Sequence, residues 1–264
     1  HQEFRRVGEG MEEVEQGLPE SALQVVYNVD EYPACPPDWM RGSATSASYF
    51  VAVQPGKGMW LDLNKNQFNH SYHVAALISV QGVNPLTVHR TQGMRLEQYR
   101  TSCPVHNAPF EAQRFCRACN YKWNGQNYLA SNATPQGYFW LDGFRAADGK
   151  VRQYVFTPDT TRGVAAQVIG DTRVYAVGVS FFLSKTPKPV HEHIYHRSRY
   201  YDTLLGGGND YDTYRSVVDT LGMNEGVRTR GGLTASRQME IAAGAQIRQQ
   251  VYDDPESLDF WQDT

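Results

Sequence analysis

Three of the four cysteines of the chain and one of its histidines lie together in the segment CPVHNAPFEAQRFCRACNYKW, residues 103–123. Cys103 and His106 form a Cys-x2-His pair, and Cys116 and Cys119 form a Cys-x2-Cys pair after nine intervening residues. Two such pairs can surround a tetrahedral ion, with sulfur at about 2.3 Å and imidazole nitrogen at about 2.0 Å from zinc. The spacing therefore predicts a zinc site with these four residues as ligands.

The same residues could serve catalysis or redox chemistry, but their number and setting favour a structural site. A closed four-ligand site has no open position for water, so it contributes folding energy rather than catalysis. A thioredoxin-like redox pair of Cys116 and Cys119 would need a helix that begins there within a βαβ unit, and the flanking sequence has neither signal. Since a long loop cannot bury enough apolar surface by itself, we expect zinc to staple an insert at residues 99–126. Cys35 is left unpaired and is predicted to be a small buried hydrophobe.

This segment of about twenty residues resembles a zinc ribbon or a rubredoxin-type knuckle pair. In that family Cys103, His106, Cys116 and Cys119 would be the ligands. The departure from an all-cysteine set is His106, and a histidine ligand favours zinc over a redox-active iron site.

The elements that would position these ligands are short runs of β-branched and aromatic residues separated by Pro, Gly and Asn, which is a pattern typical of strands. The predicted strands lie at residues 23–29, 47–54, 59–63, 73–81, 127–131, 137–144, 151–158 and 173–184. The Asp-Gly pair in RAADGK, residues 145–150, predicts a hairpin turn. A short helical turn fits residues 161–170, and residues 236–254 fit either a helix or a strand. Because no long amphipathic helix separates the strands, we expect an all-β fold, a β-sandwich of jelly-roll type.

The composition changes at both ends of this β body. Residues 1–22 are polar and acidic and predict an N-terminal arm, whereas residues 23–185 form the predicted β-sandwich. Two prolines in KTPKP, residues 185–189, end the run of strands, and residues 186–264 are predicted to form a Gly- and Tyr-rich C-terminal arm. Extended tails without a core often gain order by binding, and identical copies are the commonest partner. We therefore expect a homo-oligomer or a higher assembly built through the arms.

The charge and hydropathy of the chain exclude several classes of protein. The net charge is -3 and the Lys and Arg residues are scattered, so no nucleic-acid partner is expected. The longest apolar runs, such as residues 174–183, are about half of the ~20 residues that a membrane-spanning helix requires. We expect a soluble protein, and the sequence does not distinguish a cytoplasmic from a surface-associated one.

The leading hypothesis is a non-enzymatic structural protein that self-assembles through its arms and is stabilised by structural zinc. One alternative is a carbohydrate- or ligand-binding module, in which Trp60, Tyr138 and Trp140 would stack against sugar rings. The other alternative is a metal-dependent hydrolase that uses the cluster His191, His193 and His196. No nucleophile and base pattern accompanies these histidines, which are typical of a solvated linker.

Four stretches resemble a family of uncharacterised bacterial β-rich proteins with an SVxGxN turn and a GYxxxxGFR corner. They are ALISVQGVNPLT at residues 76–87, GYFWLDGFR at 137–145, VRQYVFT at 151–157 and VYAVGVSFF at 174–182. Gln81 stands where the turn of that family has Asp, and the Cys-rich insert interrupts the likeness, which covers about half of the chain. The resemblance implies a β-sandwich with Gly82, Asn84, Gly143 and Arg145 at tight corners, and it implies no mechanism.

Overall fold

A computed structural model describes residues 2–6, 26–33, 35–37, 39–51, 53, 55–63, 72–133, 140–170, 176–187 and 239–262. Within these residues the chain is built of strands that pair antiparallel, with a single α-helix of six residues, Val164–Ile169. The all-β prediction is therefore confirmed. No helix in this described part is long and apolar enough to cross a membrane.

The strands are numbered here in chain order. They are β1 (Gln2–Arg6), β2 (Val26–Asn28), β3 (Tyr49–Val51), β4 (Lys57–Asp62), β5 (Tyr72–Val80), β6 (Val83–Asn84), β7 (His89–Arg90), β8 (Phe115–Cys116), β9 (Tyr121–Lys122), β10 (Tyr128–Ala130), β11 (Trp140–Leu141), β12 (Gly143–Arg145), β13 (Val151–Thr157), β14 (Val177–Pro187) and β15 (Glu240–Ile247).

Two larger sheets hold most of these strands. One has the order β1-β4-β13-β12, with β11 also paired to β4 and β15 to β13. The other has the order β10-β5-β6-β7, with β14 also paired to β5. A single core cluster takes side chains from both sheets, among them Met59 and Tyr154 from the first and Ile78 and Val80 from the second. The jelly-roll connection of these sheets stays a prediction.

Strand β5 is buried along most of its length on both faces. Ala76, Ile78 and Val80 enter the core that the two sheets share, whereas Ala75 and Leu77 point into a second cluster with Tyr128, Phe182 and Trp261. Because successive side chains of a strand point to opposite faces, a strand covered on both sides needs a continuous apolar run rather than an alternating one. The sequence VAALISV meets this need.

Two local predictions are confirmed by the structure. β12 and β13 form a hairpin around Asp148 and Gly149, and Gly149 has a φ of +83°, which favours glycine. The helix Val164–Ile169 falls within the stretch where a helical turn was expected, and it ends at Gly170 in the left-handed conformation.

The described ends of the chain differ from the predicted arms. β1 lies within the predicted N-terminal arm and pairs with β4. β15 lies within the predicted C-terminal arm and pairs with β13 from Glu240 to Ile247. Residues 239–262 thus belong to the β body. Their strand β15 extends one sheet, and their apolar side chains enter both core clusters. The rest of both predicted arms, residues 1, 7–22, 188–238 and 263–264, lies outside the described residues.

The chain divides into two compact units. The first comprises His1–Asn28, Tyr49–Lys188 and Arg237–Thr264, and it contains both sheets. Of the second unit, Val29–Ser48 and Pro189–Ser236, the structure describes residues only between 29 and 48. There the guanidinium of Arg41 donates a 2.6 Å hydrogen bond to the carbonyl of Val29, and Gly42 N–H donates to the carboxylate of Asp30. Cys35 in this unit is a half-buried free thiol, so its predicted burial is only partly met.

Candidate metal centre

Each predicted ligand pair lies on a short turn that the backbone closes by itself. In the first turn Asn107 N–H donates to the carbonyl of Cys103, and Cys103 N–H donates to the carbonyl of Ala108. In the second, β8 and β9 pair through Phe115 with Lys122 and Cys116 with Tyr121, so that Cys116 and Cys119 stand at the end of a two-stranded hairpin. Two independent turns thus present one ligand pair each.

The four predicted ligands meet in space. Their ligand atoms all lie within 4.8 Å of one another. Cys103 Sγ is 3.6 Å from His106 Nδ1 and 3.9 Å from Cys119 Sγ, and Cys116 Sγ is 3.9 Å from His106 Nδ1. Bond lengths typical of tetrahedral zinc require about 3.8 Å between two sulfurs and about 3.6 Å between sulfur and nitrogen. The three separations are close to those of a tetrahedral metal site.

Burial and hydrogen bonding distinguish the ligands. Cys103 and Cys116 are buried, Cys119 is half-buried and His106 is exposed. The backbone N–H of Cys119 donates to the sulfur of Cys116 and lowers the pKa of that thiol, which favours the thiolate that a metal binds. Burial raises the pKa of Cys119 in the absence of a cation. A bound cation would stabilise the thiolate form of both cysteines.

Aromatic rings cover the buried side of the centre. Tyr99, Tyr121 and Trp123 form a cluster with Cys103 and Cys116, and Phe110 packs against it. The Trp123 ring lies 5.2 Å from that of Tyr99 and 5.1 Å from that of Tyr121, both edge to face. Such rings exclude water from one side of the ligands, as the surroundings of structural metal sites do. Phe115, which directly precedes Cys116, lies outside this cluster.

The second turn of the centre is fastened to the hairpin of β12 and β13. Lys122 N–H donates to the carbonyl of Ala147 at 2.9 Å, and the hydroxyl of Tyr121 donates to the carbonyl of Arg145 at 3.3 Å. The guanidinium of Arg145 donates in return to the carbonyl of Lys122. Arg145 and Tyr121 are both shielded from solvent in this contact. Their burial lowers the pKa of Arg145 and raises the pKa of Tyr121 to about 12.

Two asparagines that the sequence reasoning did not single out complete the two turns. Asn107 follows His106 with a φ of +50°, and Asn120 follows Cys119 with a φ of +53°. Non-glycine residues avoid this left-handed region, and Asn tolerates it best. An Asn placed directly after each ligand pair is a signal that the sequence contained.

The other predicted site residues are only partly described. The histidines of the possible hydrolase site, His191, His193 and His196, lie outside the described residues, as does Tyr138. Trp60 is half-buried and Trp140 has 41% of its surface exposed. Neither of these two rings is fully buried, and the carbohydrate-binding hypothesis stays a prediction.

The corner residues implied by the family resemblance have structural roles here. Gly82 lies in the turn between β5 and β6 with a φ of +79°. The side-chain oxygen of Asn84 accepts from the N–H groups of Leu86 and Thr87. A Cβ on Gly143 would stand 1.9 Å from the carbonyl oxygen of Arg152, so only glycine fits that close approach.

A depression of about 190 Å³ lies beside the first ligand turn and is lined in part by Pro104, Val105 and Trp123. Several of its polar side chains already serve the fold. The Asn84 amide donates to the carbonyl of Asn127, and Glu97 accepts from the hydroxyl of Tyr99.

Comparison with known proteins finds no family model, no curated protein and no solved structure that matches this chain. The resemblance to the uncharacterised bacterial β-rich proteins therefore stays a prediction.

Proposed function

We propose that the chain is a non-enzymatic structural protein whose insert, residues 99–126, is held in its folded form by one structural zinc ion. Cys103, His106, Cys116 and Cys119 would hold that ion. The observation that carries the proposal is the convergence of these four ligand atoms within 4.8 Å of one another, from two separate turns.

The ligand set indicates both the metal and its role. Three thiolates and one imidazole suit tetrahedral zinc, and hard cations such as Mg²⁺ prefer oxygen ligands. Four protein ligands leave no position for a water that could act as a nucleophile. Since the strands of the insert, β8 and β9, have only two residues each, the ion would supply the folding energy that this small element lacks.

Metal analysis of the purified chain tests this proposal. We expect one zinc per chain, and we expect Cys116→Ser to lose it because a neutral hydroxyl is a poor zinc ligand. Cys35→Ser is the matched control, because Cys35 lies outside the cluster, and it should keep one zinc. A Cys116→Ser chain with full zinc content would overturn the proposal.

Self-assembly through the arms belongs to the same proposal. The support for it comes from sequence, because residues 7–22 and 188–238 have the composition of segments that gain order by binding. β1 and β15 pair within their own chain, so the assembly contacts are assigned to the remaining parts of the arms.

A further inference from the structure

The C-terminal segment, defined here as residues 253–262, lies against the insert that carries the metal ligands. Arg114 forms an ion pair with Asp253. The guanidinium of Arg100 donates to the carbonyl of Glu256 at 2.6 Å, and Gln98 donates to the same carbonyl at 2.8 Å. Asp254 N–H donates to the side-chain oxygen of Gln126 at 2.6 Å. Every one of these contacts joins the C-terminal segment to the insert or to the residue just before it.

The carboxylate of Asp254 lies at the centre of a hydrogen-bond network that holds the C-terminal segment. It is 3% exposed, and one of its carboxylate oxygens accepts from the hydroxyl of Tyr128 at 2.6 Å and from the indole N–H of Trp261 at 2.9 Å. Its other oxygen accepts from the amide of Asn132 and from the N–H of Glu256. A buried carboxylate with four donors fixes the whole segment, because moving it would leave the charge and its donors unpaired.

The residues of the insert that hold the C-terminal segment sit next to the metal ligands. Arg100 is three residues before Cys103, and Arg114 is two residues before Cys116. Arg114 and its neighbour Gln113 both have a positive φ, +58° and +59°. Such conformations cost free energy in a non-glycine residue and persist only where the surroundings enforce them. A metal that holds Cys116 would enforce them, and without it Arg114 can relax away from Asp253.

We propose that metal binding at the Cys103, His106, Cys116 and Cys119 centre and docking of the C-terminal segment are thermodynamically coupled, so that the loaded centre latches residues 253–262 onto the β body. The inference rests on the proposed zinc site. It adds a consequence that a local staple alone would not have, because the latched segment contributes Trp261 to the second core cluster.

Hydrogen exchange by mass spectrometry on the full chain, with zinc content measured on the same samples, tests the coupling. Chelation of zinc should speed exchange in residues 253–262 by at least about tenfold, whereas β13 should keep its protection. If zinc is bound but chelation leaves residues 253–262 unchanged, the coupling is overturned and the zinc site stands. Faster exchange in β13 as well would also overturn it, because the metal would then support the entire fold. A chain that binds no zinc would overturn the proposed site itself.

The reverse direction provides a second test, since coupling between two sites is reciprocal and typically amounts to about 5- to 150-fold. Asp254→Asn replaces an acceptor oxygen by a donor facing Tyr128 and Trp261, so it should weaken zinc affinity by at least about fivefold in a competition titration. Asp259→Asn alters an exposed carboxylate of the same segment and should leave the affinity unchanged. Equal zinc affinities for the two variants, both shown to be folded by circular dichroism, would contradict the coupling.

Discussion

At the scale of single residues, the candidate centre combines a buried thiol whose surroundings favour the thiolate with two turns closed by asparagine. The N–H of Cys119 stabilises a thiolate at Cys116, and an Asn in the left-handed conformation closes each ligand turn. The convergence of Cys103, His106, Cys116 and Cys119 could be predicted from their spacing, because the geometry of each pair is local. The hydrogen bond from Gln81 to Glu240 could not be predicted, because the two residues are 159 positions apart in the sequence and no local pattern links them.

The conformation of Asn120 makes the first prediction. Asn120→Val places a β-branched side chain at a φ of +53°, which should destabilise the zinc-loaded chain by about 1–2 kcal/mol. Asn120→Gly is the matched control, because glycine adopts this φ without a steric cost. Urea unfolding of both variants measures the difference. Equal free energies of unfolding for the two variants would show that the turn does not require the left-handed conformation.

The buried carboxyl of Glu240 makes a pH prediction. It is 1% exposed, accepts one hydrogen bond from Gln81, and has no partner for its second oxygen among the described residues. Burial raises its pKa above the ordinary value of 4.5. The folded chain therefore holds this proton more tightly than the unfolded chain, and stability falls as the pH rises from 4.5 through the folded-state pKa.

Glu240→Gln should remove that decline. At pH 8 we expect the variant to be as stable as the parent chain or more stable by about 1–3 kcal/mol, the usual cost of a buried group without a partner. Below pH 4.5 the advantage should disappear. The exposed Glu256→Gln is the control and should not alter the pH profile. Thermal unfolding from pH 4 to pH 8 measures this, and a Glu240→Gln chain that loses stability at pH 8 would contradict it.

At the scale of elements, close backbone approaches and two-sided burial shape the sheets. Local signals sufficed to predict the hairpin of β12 and β13, because Asp148 and Gly149 carry their own turn conformation. Local signals also sufficed to predict strand β5, because its apolar run fits a strand that is buried on both faces. They did not decide between helix and strand for residues 236–254, since both periodicities are present there and the pairing with β13 decides the outcome.

Gly143 in β12 gives the prediction at this scale. An added Cβ would lie 1.9 Å from the carbonyl oxygen of Arg152 and 2.9 Å from the Cα of Gln153. Because both are backbone atoms of the paired strand, they cannot move without breaking the ladder, and Gly143→Ala should cost about 3 kcal/mol or more. Gly178→Ala in β14 is the control, since the nearest atom there is 4.0 Å away, and it should be close to neutral. Chemical unfolding compares the two, and a neutral Gly143→Ala would refute the close approach.

At the scale of the whole molecule, the all-β class could be predicted from the composition and the spacing of the strands. The pairing of the C-terminal strand β15 with the β body could not be predicted. β13 and β15 are paired although more than eighty residues separate them, and no local pattern encodes such a partner. The prolines at residues 185–189 suggested that the body ended there, whereas residues 239–262 complete its sheet and bring Trp261 into its core.

Assembly is the prediction that belongs to this scale. Replacing residues 190–236 by a Gly/Ser linker of the same length keeps the chain connected and removes the aromatic side chains of that stretch. We expect the parent chain to sediment as an oligomer and the variant as a monomer with unchanged zinc content. A parent chain that stays monomeric at high concentration in sedimentation velocity would reject self-assembly while leaving the zinc site untouched.

The central claim is the tetrahedral zinc centre, and zinc X-ray absorption on the purified full chain tests it most directly. The account predicts one zinc per chain whose ligand shell contains three sulfurs at about 2.3 Å and one nitrogen at about 2.0 Å. A shell made only of oxygen and nitrogen, or a chain purified under reducing conditions that contains and takes up no zinc, would contradict it.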